Sequence, residues 1–588
     1  MSTVRAFHAA RWPLIRRGSV INKNNKYGTG SGLQSFQVAS LAVAIALVST
    51  PAWSGETIEF DNGTTIDWNV TTSYGLGVRL SDQDDALLGA VNSNGQLVGA
   101  FNGDDGNQNF DKGSLTTNRV GALAEMIVRK DNYGAVVRAS TFYDDVYHQS
   151  NDNDSPLTVN KTGAHDEFTS STKYFSGGRS KFLDAYVFGG WRFDNGSMLD
   201  AKAGRHVESW GESLFYPGVS GVQSPSDAVK AAQPGVEVKE VLLPVGQFSA
   251  SYRFNPQIGF SAYYQYEWKG TELPPVGSYL STSDVTGPGN EFILNANGTR
   301  INKAGTDEPR DDGQWGVQVR YRPVPAWELA LFHVNYHDKN PASAVTQFRA
   351  QPVGGGAFAG VPTGYRVTYF EDIKLTGLSA STKFGDVQVG AEWSYRDGVP
   401  VLVNTGLGPT PARGKGQQMQ ISAIRILGDR PWASQTTLTA EIVHQRVDSV
   451  EDTSAAPNLL ALGNRLIPQF RPLVQESDNY TFKTANSWRS QDASAFTVGA
   501  SFSYPGVFEG WDLEVPLNFS NVFSGASPMS GTISGAEGDR RFSAGTTFKY
   551  LGNFEVALRV IGYLGEADPV KRQLADRDYA TLAMKYTF

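Results

Sequence analysis

From residue 64 to residue 588 the chain is a succession of segments in which apolar and polar side chains alternate, and the segments come in pairs. Within a pair the connection is a few turn-forming residues; between pairs it is long and rich in Gly, Asn, Asp and Pro. No other feature constrains the fold as much. A period of two puts every second side chain on one face of a β-strand, and short turns make the two strands of a pair antiparallel.

The pairs are 116–129 with 133–147 across Lys130, Asp131 and Asn132, then 181–193 with 197–207 across Asp194, Asn195 and Gly196. Next come 245–254 with 257–268 across Asn255 and Pro256, and 315–322 with 327–336 across residues 323–325. A run ending at Phe384 meets 387–396, and a run ending at Leu427 meets 434–447 across 428–432. Residues 493–504 meet 511–521 across 505–510, and 542–550 meet 555–563 across 551–553. A single segment, 64–80, opens the series, and another, 580–588, closes it.

The closing segment puts Ala580, Leu582, Met584, Tyr586 and Phe588 on one parity and Thr581, Ala583, Lys585 and Thr587 on the other. It resembles the last strand of bacterial outer-membrane β-barrels, which end on Phe, close the barrel and are read by the barrel-assembly machinery. An ordinary strand ending a soluble domain is the alternative. The resemblance implies a barrel-closure role for Leu582, Met584, Tyr586 and Phe588.

The count is about eighteen strands, or sixteen if two of the weaker segments are loop. Both numbers are even, as in bacterial single-chain barrels. The expected fold is all-β: a transmembrane antiparallel up-and-down β-barrel with long extracellular loops and short periplasmic turns, set in outer-membrane lipids. Aromatics near strand ends, such as Phe142, Tyr143 and Tyr147 or Tyr263, Tyr264, Tyr266 and Trp268, would form the interfacial girdles. A soluble β-sandwich would bury them instead, but the up-and-down series shows no break into domains.

Composition agrees. A helical membrane protein would show several apolar runs of about 20 residues; this chain has none, and its mean hydropathy is −0.31 with 19% charged residues. A barrel hides its lipid-facing surface in alternation and looks soluble on average. The absence of cysteine removes disulfides, thiolate metal sites and thiol nucleophiles.

The first 54 residues read as a signal peptide. Arg5, Arg11, Arg16, Arg17, Lys23 and Lys26 precede an apolar run over 36–48, and Ala52 and Ser54 occupy the small positions of a cleavage site. A retained N-terminal anchor is the alternative; the run is too short to span a bilayer as a helix. Removing those six basic residues leaves 45 basic against 59 acidic side chains, a formal net charge of −14, which makes nucleic acid an unsuitable partner. Residues 55–588 are expected to form a single barrel domain.

The densest cluster of functional residue types is 204–218, GRHVESWGESLFYPG, followed by a long connection to Pro244. Strand parity would put His206, Glu208, Trp210 and Glu212 on one face, with Arg205 pointing the other way. Two carboxylates cannot face lipid at depth, where each charged side chain costs a few kcal/mol, so Glu208 and Glu212 must look into the lumen or lie above the membrane. The connection carries Glu237, Lys239 and Glu240 directly before Val241, Leu242 and Leu243, an apolar set that needs cover. Folding residues 208–244 into the lumen would supply it; an external loop packed on its neighbours would do so equally. The candidate constriction is Arg205, His206, Glu208, Trp210, Glu212, Glu237 and Lys239.

The segments GRHVESWGES, PGVEVKEVLLPV and DDGNQNF resemble the recurring motifs of domain-of-unknown-function family thirteen-oh-two, a proteobacterial family of exported proteins of roughly 600 residues. The resemblance covers essentially the whole mature chain and implies an outer-membrane barrel. Members often have Gln at His206, and Asn-Pro before the Asp where this chain has Ser224, Pro225, Ser226 and Asp227. Members are frequently encoded beside genes for lipids, steroids or other hydrophobic substrates, which implies envelope transport of such molecules by association alone.

Enzymatic readings find little support. Apart from His8 in the signal peptide, six histidines are scattered and there is no GxSxG elbow. His333 and His337 on one strand face would stand about 13 Å apart, too far for a shared metal. Acidic stretches at 151–154 and at Asp104, Asp105 and Asn107 lack EF-hand spacing and read as solvated loop tips, so neither a metal nor another cofactor is expected.

The expected function is passive passage of small, hydrophobic or amphipathic solutes through an outer-membrane channel narrowed by inward-folded loops. The alternative is a barrel without a conducting pore, docking a periplasmic partner protein in a lipid-handling complex.

Overall fold

The alternating segments pair as antiparallel ladders, because each short turn returns the chain beside the strand it has just left. A computed structural model describes residue 55 and residues 57–405, 408–450, 461–462, 465–466, 489–527, 529 and 531–588. The signal peptide expected over residues 1–54 lies outside the described residues.

Eighteen strands make the barrel. They are β1 (Thr65–Arg79), β2 (Leu115–Lys130), β3 (Tyr133–Asp144), β4 (Gly178–Arg192), β5 (Met198–His206) and β6 (Val245–Arg253). Then come β7 (Ile258–Gln265), β8 (Gln314–Tyr321), β9 (Trp327–Tyr336), β10 (Ile373–Phe384), β11 (Val387–Thr405) and β12 (Gly408–Leu427). The last six are β13 (Gln435–Val450), β14 (Asp492–Phe508), β15 (Trp511–Gly525), β16 (Arg540–Tyr550), β17 (Phe554–Leu564) and β18 (Tyr579–Thr587). Each pairs with its sequence neighbour, and β18 returns to β1 over Thr71↔Thr587 to Arg79↔Tyr579. The ring therefore leaves no open edge, which a sheet in lipid requires because unpaired backbone groups have no water there.

The two faces are chemically distinct. Phe182, Val187, Phe248, Leu329, Leu331, Leu378, Ile421, Ile442, Leu558 and Met584 are exposed on the outside. Their neighbours on the opposite parity include the buried polar residues Gln314, Gln318, Glu392, Gln418, Glu441 and Gln445. Exposed aromatics gather at the short-turn rim, among them Tyr133, Trp191, Phe254, Tyr321, Trp327, Phe384 and Tyr550. Tyr264, Tyr266, Trp315 and Phe523 lie toward the other rim. These are the two girdles of a transmembrane barrel. Among the described residues no helix is long and apolar enough to cross a membrane.

Two stretches depart from the sequence reading. Residues 505–508, expected in a turn, extend β14 past an irregularity between Tyr504 and Phe508, so the turn tightens to Glu509 and Gly510. Over the long-loop rim lies a second, six-stranded sheet built from Phe292–Leu294, Arg300–Asp307, Ser343–Gly354, Ala357–Thr368, Ala461–Leu462 and Arg465–Leu466, where only loop was expected. The hairpin within it turns at Gly354, Gly355 and Gly356, all with positive φ. Its alternation is broken by Pro352 and Pro362, each next to a register shift, which hid it from a period-two reading.

Candidate functional site: the segment folded across the barrel interior

Strand β5 ends where His206 pairs with Val245, the first residue of β6. From Val207 onward there is no ladder, so strand parity does not extend to Glu208, Trp210 and Glu212. Residues 207–244 instead make contact with inward-facing groups of β2–β4, β9–β11, β13 and β18, and those contacts explain the local sequence.

Two wall carboxylates hold the first part. Glu392 of β11 accepts from the backbone N–H of Glu212 at 3.0 Å and of Val219 at 2.7 Å. Glu441 of β13 accepts from Leu214 at 3.2 Å, Phe215 at 2.5 Å and Tyr216 at 2.8 Å. The stretch has no regular structure to satisfy those five amides, and buried N–H groups need partners. Gly211 and Gly218 allow the approach. A Cβ would stand 2.1 Å from Glu392 Oε2 at Gly211, which also has φ +102°, and 1.8 Å from Oε1 at Gly218.

Apolar residues seat the same part on an apolar patch of the inner wall. Trp210 lies edge-on to Tyr263, centroids 5.0 Å apart, and stacks over Phe332 at 6.3 Å. Val219 and Val222 join it in a buried cluster with Val334 and Tyr336 of β9, Ile373 and Leu375 of β10, and Val399 and Val401 of β11. The inner face of β9 is thus apolar from Ala330 to Tyr336, an exception to lumenal polarity that the segment covers.

The second part is tied by charge. Asp227 caps a helical turn, Ala228–Ala231, by accepting from Lys230 N–H at 2.9 Å, and it pairs with Arg179 and Lys181 of β4, both at 2.8 Å. Lys230 Nζ donates to Glu240 at 2.7 Å and to Ser140 of β3 at 2.8 Å. Lys239 pairs with Glu125 of β2 and with Glu237, and Glu237 lies 3.7 Å from Lys585 of β18. Burial alone would raise the Asp227 carboxyl, but Lys181 and Arg179 hold it below the usual carboxylate range. Burial brings the Lys230 ammonium down to about 8 against the opposing pull of Glu240. Glu212 is raised by burial and by the charges of Glu328 and Glu392. Glu208 is lowered: burial opposes this, but His206, Lys202 and Ser249 outweigh it.

Beneath the first part lies a cavity of about 320 Å³ bounded by Glu208, Trp210 and Glu212 on the segment, and by Lys202, Arg320, Glu328 and Phe332 on the wall. It shares Asp200, Ser251, Arg320 and Glu328 with a second space of about 210 Å³ that reaches the short-turn rim at Arg253, Asn255 and Arg322. On the far wall Glu514, Asn518, Lys549 and Arg559 remain exposed.

The seven candidate residues therefore fall into three places. Glu208, Trp210 and Glu212 line the cavity, and His206 stands behind it, its Nε2 2.9 Å from Ser249 Oγ and 3.4 Å from Glu208. Glu237 and Lys239 lie against β2 and β18. Arg205 is on the outer parity, paired bidentately with Glu267 at 3.0 and 2.6 Å, and does not face the cavity. Of the closure residues, Leu582 and Met584 sit opposite Leu76 and Tyr74 with their side chains outward; Tyr586 faces Thr72, and Phe588 N–H donates to Val70 at 3.0 Å.

Glu392, Glu441, Arg179, Lys181 and Asp227 were missed by the sequence reading. For Glu392 and Glu441 the signal was a charge in mid-strand on the polar parity, as in AEWSYR and TAEIVHQ; Arg179 and Lys181 at the start of β4 and Asp227 in the connection carried none. The expected loop tip at Asp104, Asp105 and Asn107 is not solvated: all three are buried in a helical turn, Asp105–Gln108, covered by other loops.

A closed antiparallel ring with an apolar outer band and a charged interior defines a transmembrane β-barrel, here with a long connection folded across its interior. The chain belongs to the family described as protein of unknown function (DUF1302), whose model matches residues 35–588. No curated protein matches it. Among solved structures it is similar to OccAB4 of Acinetobacter baumannii, at 11% identity and TM-score 0.40 over 91% of this chain and 99% of that one. OccAB1 of the same organism matches at 8% identity and TM-score 0.41 over 91% and 99%. The outer membrane channel DcaP, also from A. baumannii, matches at 9% identity and TM-score 0.34 over 91% and 100%. Similarities at that level say nothing about what this chain carries.

Proposed function

We propose that the protein is an outer-membrane channel, exported by a signal peptide over residues 1–54, through which small amphipathic or hydrophobic solutes pass passively. The observation that carries the reading is the adjoining pair of cavities, which share four lining residues. The upper space is bounded by the apolar side chains of Trp210, Phe332 and Ala330 and by the charged ones of Lys202, Glu208, Arg320 and Glu328. Such a space suits a solute with one greasy face and one polar face, and the opposed charges set selectivity as charged rings do in pores. Residues 207–244 act as the constriction.

The reading is non-enzymatic. His444 Nδ1 lies 2.9 Å from Ser494 Oγ and its Nε2 3.5 Å from Asp492, a grouping that resembles a hydrolytic triad. Asp492 is shared with Arg446 at 3.1 Å, and the ladder from Gln435↔Ser503 to Arg446↔Asp492 is unbroken.

Planar-bilayer conductance tests the proposal. The full chain is expected to give a small, stable conductance, larger after removal of residues 219–243. Absence of a pore in both would overturn it. A second reading, a non-conducting barrel that docks a periplasmic partner, draws on how densely residues 207–244 pack on the wall. It requires silence in that experiment together with capture of a partner.

A further inference from the structure

We propose a calcium site at the long-loop rim, formed by Asp104 and Asp105 from the β1–β2 connection and Asp284 from the β7–β8 connection. One oxygen of each carboxylate lies within 4.8 Å of the others, and all three side chains are buried. Calcium takes six to eight oxygen ligands at about 2.3–2.6 Å, so two ligands on opposite sides of one ion stand just under about 5 Å apart.

The hydrogen bonding separates the two oxygens of each carboxylate. Asp104 Oδ2 accepts from Gly89 N–H at 2.8 Å and from Gln108 Nε2 at 3.2 Å. Asp105 Oδ2 accepts from Asn160 N–H at 3.3 Å, and Asp284 Oδ2 from Asp105 N–H at 3.2 Å. The three Oδ1 atoms are buried with no hydrogen-bond partner. An unpaired buried carboxylate oxygen is costly, and a cation between the three would satisfy them together.

A neutral group points the same way. Asn160, from the β3–β4 connection, is fully buried; its Nδ2 is engaged by Asn102 Oδ1 at 2.6 Å and Phe292 O at 3.0 Å, and its Oδ1 has no partner. Its N–H on Asp105 places it beside the carboxylates. The nearby cations act on the carboxyls by charge, but their hydrogen bonds go to carbonyls: Arg577 donates to those of Gly106 and Tyr279, and Lys161 to that of Ala164. Burial and mutual repulsion raise Asp105 to about 7 and Asp284 well above the usual range, and burial raises Asp104 to about 6. All-protein oxygen ligation favours calcium over magnesium, which keeps its waters. The ion would pin three loop connections over the mouth of the barrel.

The test uses the full chain refolded in detergent free of lipopolysaccharide and stripped with EDTA, then titrated calorimetrically with calcium or magnesium chloride. Calcium is expected to bind with a Kd at or below about 1 mM, the range of extracellular modules, and to raise Tm, with magnesium at least about tenfold weaker. Asp105→Asn and Asp284→Asn should each weaken calcium at least about tenfold. No heat and no Tm shift in the wild type up to about 10 mM calcium would overturn the site, as would undiminished binding in both variants. The wild-type titration decides the matter should a variant fail to fold, and it is independent of whether the barrel conducts.

Discussion

At Gly218 a single hydrogen separates a held segment from a steric conflict. Gly218→Ala would put a Cβ 1.8 Å from Glu392 Oε1, so the carboxylate must leave Val219 N–H. Glu392→Ala removes both acceptors outright and strands the amides of Glu212 and Val219. Each change is expected to cost about 1–3 kcal/mol, the penalty for unsatisfied buried donors. Urea unfolding in detergent measures it, and Glu392→Gln, which keeps an acceptor, should cost less. Lys549→Ala, on the exposed far wall, serves as the control near zero.

The same residues show where sequence reading stops. The glycines and the two glutamates were visible, but a carboxylate at 392 capturing amides 173 and 180 positions earlier is a long-range pairing with no local signature. Parity put His206 and Arg205 on opposite faces correctly. It failed at Glu208 because parity is a property of a ladder, and the ladder ends at His206.

On the element scale, alternation and turn chemistry made all eighteen strands legible, since lipid outside and water inside impose period two directly on the sequence. The connections obey no such rule. DDGNQNF looked polar enough for solvent, yet other loops bury it. The three carboxyls there make a signed prediction. Folded-state values near 6 and 7, against about 4 when unfolded, mean that without calcium the folded form keeps protons the unfolded form has released. Stability in EDTA should therefore fall as pH rises from about 4 to about 7, and calcium should remove that fall. Melting temperatures of wild type and Asp284→Asn across that window check it; a flat wild-type profile in EDTA would contradict it.

For the whole molecule, the register from Thr71↔Thr587 to Arg79↔Tyr579 makes β18 the closing strand. A chain lacking residues 580–588 leaves β1 and β17 with open edges in lipid, which no barrel tolerates. It is expected to be exported but not to yield a heat-modifiable barrel in gel shift assays. The outcome also bears on recognition of Leu582, Met584, Tyr586 and Phe588 by the assembly machinery, which a synthetic 580–588 peptide should compete for.

The central claim is that residues 207–244 stand in the path of solutes. The chain has no cysteine, so Glu212→Cys creates the sole thiol, on the cavity beneath Trp210. Single-channel current through this variant should drop when a charged methanethiosulfonate reagent is added from the short-turn side, while the wild type is unaffected. A thiol that is fully modified, as shown by mass, with current unchanged would contradict the account.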